Sequence, residues 1–152
     1  MELGGDGVEV RPACSDDEVE AALRLRLRVF SGEQGIAREA ELDGLDPEAT
    51  QIVALRNGEP VGTCRLRFPG GTCKLERMAV DPNFRGRGLG SRLVDAAEHE
   101  ASARGMTEVV LNAQRQVEGF YAGCGYVAGG NTFLEQGIPH VQMRKTLTSP
   151  AR

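Results

Sequence analysis

Residues 85–91 read Arg-Gly-Arg-Gly-Leu-Gly-Ser, a run whose residue types suit an anion. At Gly86, Gly88 and Gly90 the absence of a Cβ lets the backbone take otherwise strained angles and come close to a ligand. Arg85 and Arg87 contribute planar, permanently charged forks that match phosphate oxygens. An amphipathic segment follows, from 89 to about 104, with Leu89, Leu93, Ala96, Ala97 and Ala101 on one face and Gly105 placed to end it. The first turn of such a helix carries unpaired amides and the positive end of the macrodipole. Ahead of the turn, Leu75, Met78, Ala79 and Val80 form a strand-like run that stops at Asp81-Pro82. Strand, glycine-rich turn and helix in that order make a site for a phosphate or diphosphate. A bare turn would explain the glycines but not the two arginines between them.

Two other phosphate motifs fit poorly. A P-loop requires a lysine followed by serine or threonine, and no lysine follows this turn. A dinucleotide fingerprint has Gly-x-Gly-x-x-Gly near the start of a doubly wound sheet, whereas here the spacing is Gly86-x-Gly88-x-Gly90, after three strands.

The elements around the turn can be read in order. Val8–Pro12 alternates as a first strand, and Ser15 or Asp16 caps a helix. That helix buries Val19, Ala22, Leu23, Leu25, Leu27 and Phe30, with Arg24, Arg26 and Arg28 on its other surface. The stretch 31–46 is polar and acidic (Glu33, Glu39, Glu41, Asp43, Asp46) and reads as a short helix and a loop. Strands at 51–56 and 60–68 are joined by Asn57-Gly58, a strong hairpin signal, and a third strand spans 72–80. After the long helix comes a buried strand at 108–113, parallel to its predecessor. A short helix at 116–122, a strand beginning at Tyr126-Val127, a glycine-rich polar stretch and a last strand at 140–147 complete the order. The expectation is an α+β fold: a mixed, mostly antiparallel sheet with helices on both faces.

With 152 residues, 40% apolar and 26% charged, the chain reads as one soluble domain over 1–152, with flexible tails at 1–7 and 148–152. A formal charge of −4 argues against non-specific nucleic-acid binding, and no apolar run is long enough to span a membrane. The start of the chain does not resemble a signal or transit peptide, so a cytoplasmic location is expected. Cys14, Cys64, Cys73 and Cys124 lack any C-x-x-C spacing and read as reduced, mostly buried thiols. Exposed sheet edges leave both monomer and homodimer open.

Three segments together resemble the GCN5-related N-acetyltransferase (GNAT) superfamily. Arg85-x-x-Gly88-x-Gly90 is similar to its Gln/Arg-x-x-Gly-x-Gly/Ala signature, and Met78-Ala79-Val80-Asp81-Pro82 to the strand before it. Phe120-Tyr121-Ala122-Gly123-Cys124-Gly125-Tyr126 resembles its Phe-Tyr-x-x-x-Gly-Phe/Tyr segment. Val29-Phe30, Glu33-Gln34-Gly35, Asp43-Gly44-Leu45-Asp46 and Gly137-Ile138-Pro139-His140 with Met143 resemble the ElaA/YjcF-like branch.

The resemblance implies acetyl-CoA or another acyl-CoA as donor, a small-molecule or peptide amine as acceptor, and direct transfer with no metal. The diphosphate would sit on Arg85, Gly86, Arg87, Gly88, Leu89, Gly90 and Ser91. Met78, Ala79, Val80 and Asn112 would flank the pantetheine arm in a slot opening where a parallel strand pair splays after Val80. The Met78 amide is the implied oxyanion donor, and Tyr121 the implied acid for the departing thiolate. For the base, Glu76 comes first and Glu33 second; Glu76 could equally be a sheet-surface residue paired with Lys74 or Arg67. Glu33, Gln34 and His140 are candidate acceptor contacts, and the acidic stretch could draw in a cationic amine. A catalytically weak acyl-CoA-binding or sensing module on the same fold is the alternative.

Overall fold

The computed structural model describes residues 6–148, so the expected tails, apart from Asp6, Gly7 and Thr148, lie outside the described residues. The elements are β1 (Val8–Pro12), α1 (Asp16–Arg26), α2 (Arg38–Glu41), β2 (Thr50–Arg56), β3 (Glu59–Arg67), β4 (Cys73–Val80), α3 (Leu89–Ala103), β5 (Glu108–Gln114), α4 (Glu118–Gly123), β6 (Val127–Glu135) and β7 (Ile138–Thr146). One seven-stranded sheet runs β1-β2-β3-β4-β5-β7-β6. Every pair is antiparallel except β4 with β5.

Strand β2 shows why helices cover both faces. Its run from Gln51 to Leu55 is buried without a break. Ile52 and Ala54 join Leu93 and Ala97 of α3 in the main core, while Val53 and Leu55 meet Ala22 of α1 on the opposite side. The fold is therefore α+β, with the layout expected. Gly62 of β3 is where α3 presses closest: an added Cβ would lie 3.0 Å from a Leu93 methyl. Full burial of a leucine such as Leu25, Leu66 or Leu93 contributes about 1.5–3 kcal/mol. Apolar contact therefore holds the layers together.

Local signals explain the element ends. Ser15 caps α1 by accepting from the Glu18 amide, three acids occupy its first turn, and Arg24 and Arg26 its last. The helix then widens into a π-helical segment, Leu27–Glu33, and stops before Gly35 at φ 71°. That extra width carries Glu33 and Gln34 out over the sheet. Asn57 and Gly58, both at positive φ, make the β2–β3 turn, and Gly105 at φ 79° ends α3.

Two expectations need correction. The glycine-rich polar stretch after Val127 does not separate two strands but continues β6 as far as Glu135, and β6 hairpins through Gln136 and Gly137 into β7. All nine of its residues are exposed, and the register shifts between Gly129 and Phe133. An edge strand bare on both faces and interrupted by a bulge has no apolar alternation to read.

The second correction concerns Arg26, expected on the outer surface of α1. Arg24 and Arg28 are exposed there, but Arg26 is fully buried. Its Nε donates to Glu41 at 2.7 Å and its Nη1 to Asp46 at 2.6 Å. Fully buried beside it is Arg65 of β3, which binds Asp43 through both Nη atoms at 2.9 Å and also reaches Asp46. The acidic stretch is thereby clamped onto the sheet by arginines. Arg26→Ala would leave two largely buried carboxylates short of a cation, and a loss of about 3–5 kcal/mol is expected. Chemical denaturation measures it; a loss under about 1 kcal/mol would show that the clamp contributes little to stability.

Candidate active site

Strands β4 and β5 pair over only three positions, Cys73–Val109, Lys74–Val110 and Leu75–Leu111. The splay was expected after Val80; it begins already after Leu75. Each strand then follows its outer neighbour. β4 stays with β3 as far as Val80 opposite Gly62, and β5 stays with β7 as far as Gln114 opposite His140. A cleft of about 1120 Å³ opens between them.

The parting is accompanied by a bulge. Thr63 faces Ala79 and Arg65 faces Glu76, so Cys64 alone spans Arg77 and Met78. Arg77 takes φ 55°; among the described residues, the other two non-glycine residues at positive φ, Asn57 and Gln136, sit in hairpin turns. A bulge leaves one residue outside the ladder, here at the point where β4 lines the cleft. Arg77 in this conformation stores on the order of 1–3 kcal/mol of strain.

At the other end of the cleft lies the glycine-rich turn. Gly86 and Gly88 have φ of 75° and 78°, which only glycine takes readily. Gly90 is there for a different reason. A Cβ on it would meet the Phe120 ring at 3.0 Å, so the turn and α4 pack through this glycine. The N-terminus of α3 has no side-chain cap and no acid in its first turn. Its leading residues line the cleft mouth, and among the described residues no side chain caps their amides. Arg85 donates from Nε to the Val80 carbonyl at 3.0 Å and forks onto both Glu33 oxygens at 2.9 Å. Both partners of that pair are over a third exposed, so it contributes at most about 1 kcal/mol and can exchange. Arg87 instead lies over Phe84, 5.1 Å from the ring centre, and is not part of the cleft lining. Met78, Ala79, Val80, Leu89, Ser91, Asn112, Tyr121, Glu33, Gln34, Glu76 and His140 do line it.

Tyr121, on the cleft wall, contrasts with Tyr126, which does not line it. The Tyr126 hydroxyl donates to Glu98 at 3.0 Å. Tyr121 is 7% exposed, held edge-on by Phe120 and Tyr126, and its hydroxyl has no hydrogen-bond partner among the described residues. Burial, with smaller contributions from Cys64 and Cys124, pushes its phenol upward. Tyr121 lines the cleft, and its phenol keeps its proton across the working pH range.

Glu76 is caged. Its Oε1 accepts from Arg65 at 2.9 and 3.1 Å and from Arg67 at 2.7 Å, while Oε2 accepts from Arg67 at 3.0 Å and has Lys74 at 3.4 Å. Burial alone would raise this carboxyl, but the arginine hydrogen bonds and charges outweigh it and hold it at about 2. Such a carboxylate is a poor proton acceptor, so the geometry favours the paired, structural reading of Glu76. Asp43 is likewise held well below the usual range by Arg65. The acidic stretch expected to attract an amine has spent Glu41, Asp43 and Asp46 on Arg26, Arg65 and Arg77. The buried Arg65 and the half-buried Arg77 had no place in the sequence reading, and Arg26 was placed on the outside. The available signal was Thr63, Arg65 and Arg67 alternating on one face of β3 while Cys64 and Leu66 fill the other, opposite a run rich in acids.

The rim opposite the turn joins distant segments. Gln114 donates to Gln34 at 2.9 Å across 80 residues of sequence, and Gln116 donates to Gln114 at 2.8 Å. His140 is buried, its Nδ1 2.7 Å from the Ile138 carbonyl and its ring stacked on Phe133.

A family model described as an acetyltransferase (GNAT) domain matches residues 10–147. The chain belongs to that family. Among its relatives is the uncharacterized N-acetyltransferase YjcF of Bacillus subtilis, 38% identical over 134 residues, covering 88% of this chain and 96% of that protein. An acyl-CoA N-acyltransferase structure from Pseudomonas aeruginosa is 31% identical with TM-score 0.80, covering 91% of this chain and 98% of that one. Escherichia coli ElaA shares the fold at TM-score 0.82 and 24% identity, over 91% and 99% of the two chains. Within the superfamily the chain falls in the ElaA/YjcF-like branch.

The Glu76 cage gives a pH prediction. A carboxyl at about 2 when folded and near 4.5 when unfolded adds stability that is complete above 4.5 and lost as pH falls toward 2. Glu76→Gln should lower stability at pH 7 by roughly 3 kcal/mol, and the gap from wild type should close between pH 4.5 and 2. Urea titrations across pH check this; a gap constant with pH would show that Glu76 is not held ionised.

Proposed function

We propose that this protein transfers an acetyl group from acetyl-CoA directly to an amine. The observation that carries the reading is an uncapped helix N-terminus and glycine turn opening onto a cleft between two parted strands, lined by Tyr121, whose hydroxyl has no partner among the described residues. The family membership and the Pseudomonas relative's description as an acyl-CoA N-acyltransferase support acyl-CoA as donor.

The diphosphate would rest on the amides of Gly86 to Ser91. Arg85 would turn from Glu33 to a phosphate oxygen, an exchange the exposed pair makes inexpensive. The pantetheine arm would lie along Met78, Ala79 and Val80, adding hydrogen bonds like an extra strand, with Asn112 across from it. The neutral amine attacks the thioester carbon, the Met78 amide takes up the developing oxyanion, and the C–S bond breaks as the C–N bond is kept. Tyr121 hands its proton to the departing sulfur. The desolvation that raises its phenol weakens it as an acid, and the same desolvation makes a buried thiolate more basic and offsets that loss. The amine's surplus proton leaves through water to Glu33, the remaining candidate base once Glu76 is caged. Gln34 and His140 border the acceptor end. The amine's identity is left to a substrate panel.

A second reading, a catalytically weak acyl-CoA sensor, is favoured by the low basicity of Glu76. Thiol release from acetyl-CoA across a panel of small amines and peptides separates the two; no release above the amine-free rate would favour the sensor.

Two variants test the parts. Valine at Gly88 places a β-branched residue at φ 78° in the turn, and CoA affinity by calorimetry should fall at least about tenfold. Unchanged affinity would move the diphosphate elsewhere. Tyr121→Phe should lower kcat by about 10²-fold or more with CoA affinity unaltered, as expected for loss of a general acid. Wild-type turnover would remove Tyr121 from the reaction.

A further inference from the structure

We infer that Arg77, through Glu41 and Asp43, is the positioning residue that sets the β4 bulge and so aims the Met78 amide at the acyl carbonyl. The inference rests on the proposed acyl transfer and concerns what holds its oxyanion donor in place.

A strand residue at φ 55° does not keep that angle by itself; neighbouring contacts must impose it. The backbone of Arg77 has the bulge's single partner, Cys64, shared with Met78. What remains is its side chain, and that side chain is tied on three sides. Nη2 donates to Asp43 at 3.2 Å and to the Ala40 carbonyl at 3.4 Å. Nε lies 2.9 Å from Glu41 Oε2 as an ion pair whose angle is too bent for a hydrogen bond. Glu41 is 2% exposed, and its other oxygen is held by the fully buried Arg26 at 2.7 Å. Asp43 is held in turn by Arg65. The anchor for Arg77 is thus a pair of carboxylates, one buried and one a quarter exposed, each held by a fully buried arginine of α1 or β3.

The arrangement also explains why two arginines are buried where leucines would pack. Apolar side chains of similar volume often serve stability as well. They could not fix two carboxylates at set points above β4, and those carboxylates are what Arg77 reaches for. Pulled toward α2, Arg77 would rotate its own peptide units at the bulge, where β4 lines the cleft, and so turn the neighbouring Met78 amide toward the wall.

The test needs no acceptor. The probe is acetyl-CoA labelled with ¹³C at the thioester carbonyl, read by isotope-edited infrared spectroscopy in complex with the full chain. Wild type should shift the carbonyl band to lower frequency than in free acetyl-CoA, the mark of a hydrogen bond to its oxygen. Arg77→Ala should lose most of that shift, while the affinity for CoA itself, measured by calorimetry, stays within about twofold. Arg77→Lys keeps the charge without the fork and should recover only part of the shift. Asp43→Asn, at a quarter-exposed position, gives a second variant that removes one anchor and leaves the core filled. A full wild-type shift in both Arg77→Ala and Asp43→Asn would overturn the positioning role. Absence of the shift in wild type with CoA still bound would instead overturn the oxyanion reading on which it rests.

Discussion

The cleft depends on a conflict between strand partners. A parallel pair in mid-sheet would normally zip together along its length, since every buried backbone group needs a partner. Here β4 and β5 share three pairs and separate, because β3 and β7 each supply a longer antiparallel ladder to hold them apart. The backbone groups exposed inside the fork are then free to be satisfied by something that is not protein. A slot of this kind is available to any elongated molecule with amide groups of its own, and the charge at one end decides which.

That end is the turn into α3, where no acid is placed within the first helical turn. Around it the protein keeps its charges closely balanced. Glu33 covers Arg85 on the rim, while Glu41, Asp43, Asp46 and Glu76 meet Arg26, Arg65, Arg67, Lys74 and Arg77 underneath. The buried set serves geometry more than attraction. Its members are locked in place and largely shielded from solvent, so little of their field extends to a ligand approaching through water.

The turn, the strand ahead of it and the Phe-Tyr segment were legible because their chemistry is local. Glycines at φ 75° and 78° and a proline-ended strand leave marks at fixed spacing. What the order of residues did not disclose was long-range. Arg26 lies 15 and 20 positions from its acids, and nothing in its own helix distinguishes it from the exposed Arg24 and Arg28. The point where β4 and β5 part depends on registers with β3 and β7, which only the assembled sheet contains. Glu76 looked equally suited to base and to sheet surface until three cations were found within 3.4 Å of it. Strand β6 was read only at its start, Tyr126-Val127, because both its faces meet solvent and burial imposed no pattern on the rest.

The contact between Gly90 and Phe120 reaches beyond packing. It fuses the two signature segments, 30 residues apart, into a single steric unit, with no room for either to enlarge alone. Over evolutionary time positions 90 and 120 should therefore change as a pair, an alanine in the turn accompanied by a smaller ring-side neighbour. Any drift of α4 would be transmitted through this joint to the amides of the turn, so the grip on the carrier and the aim of Tyr121 are inherited together.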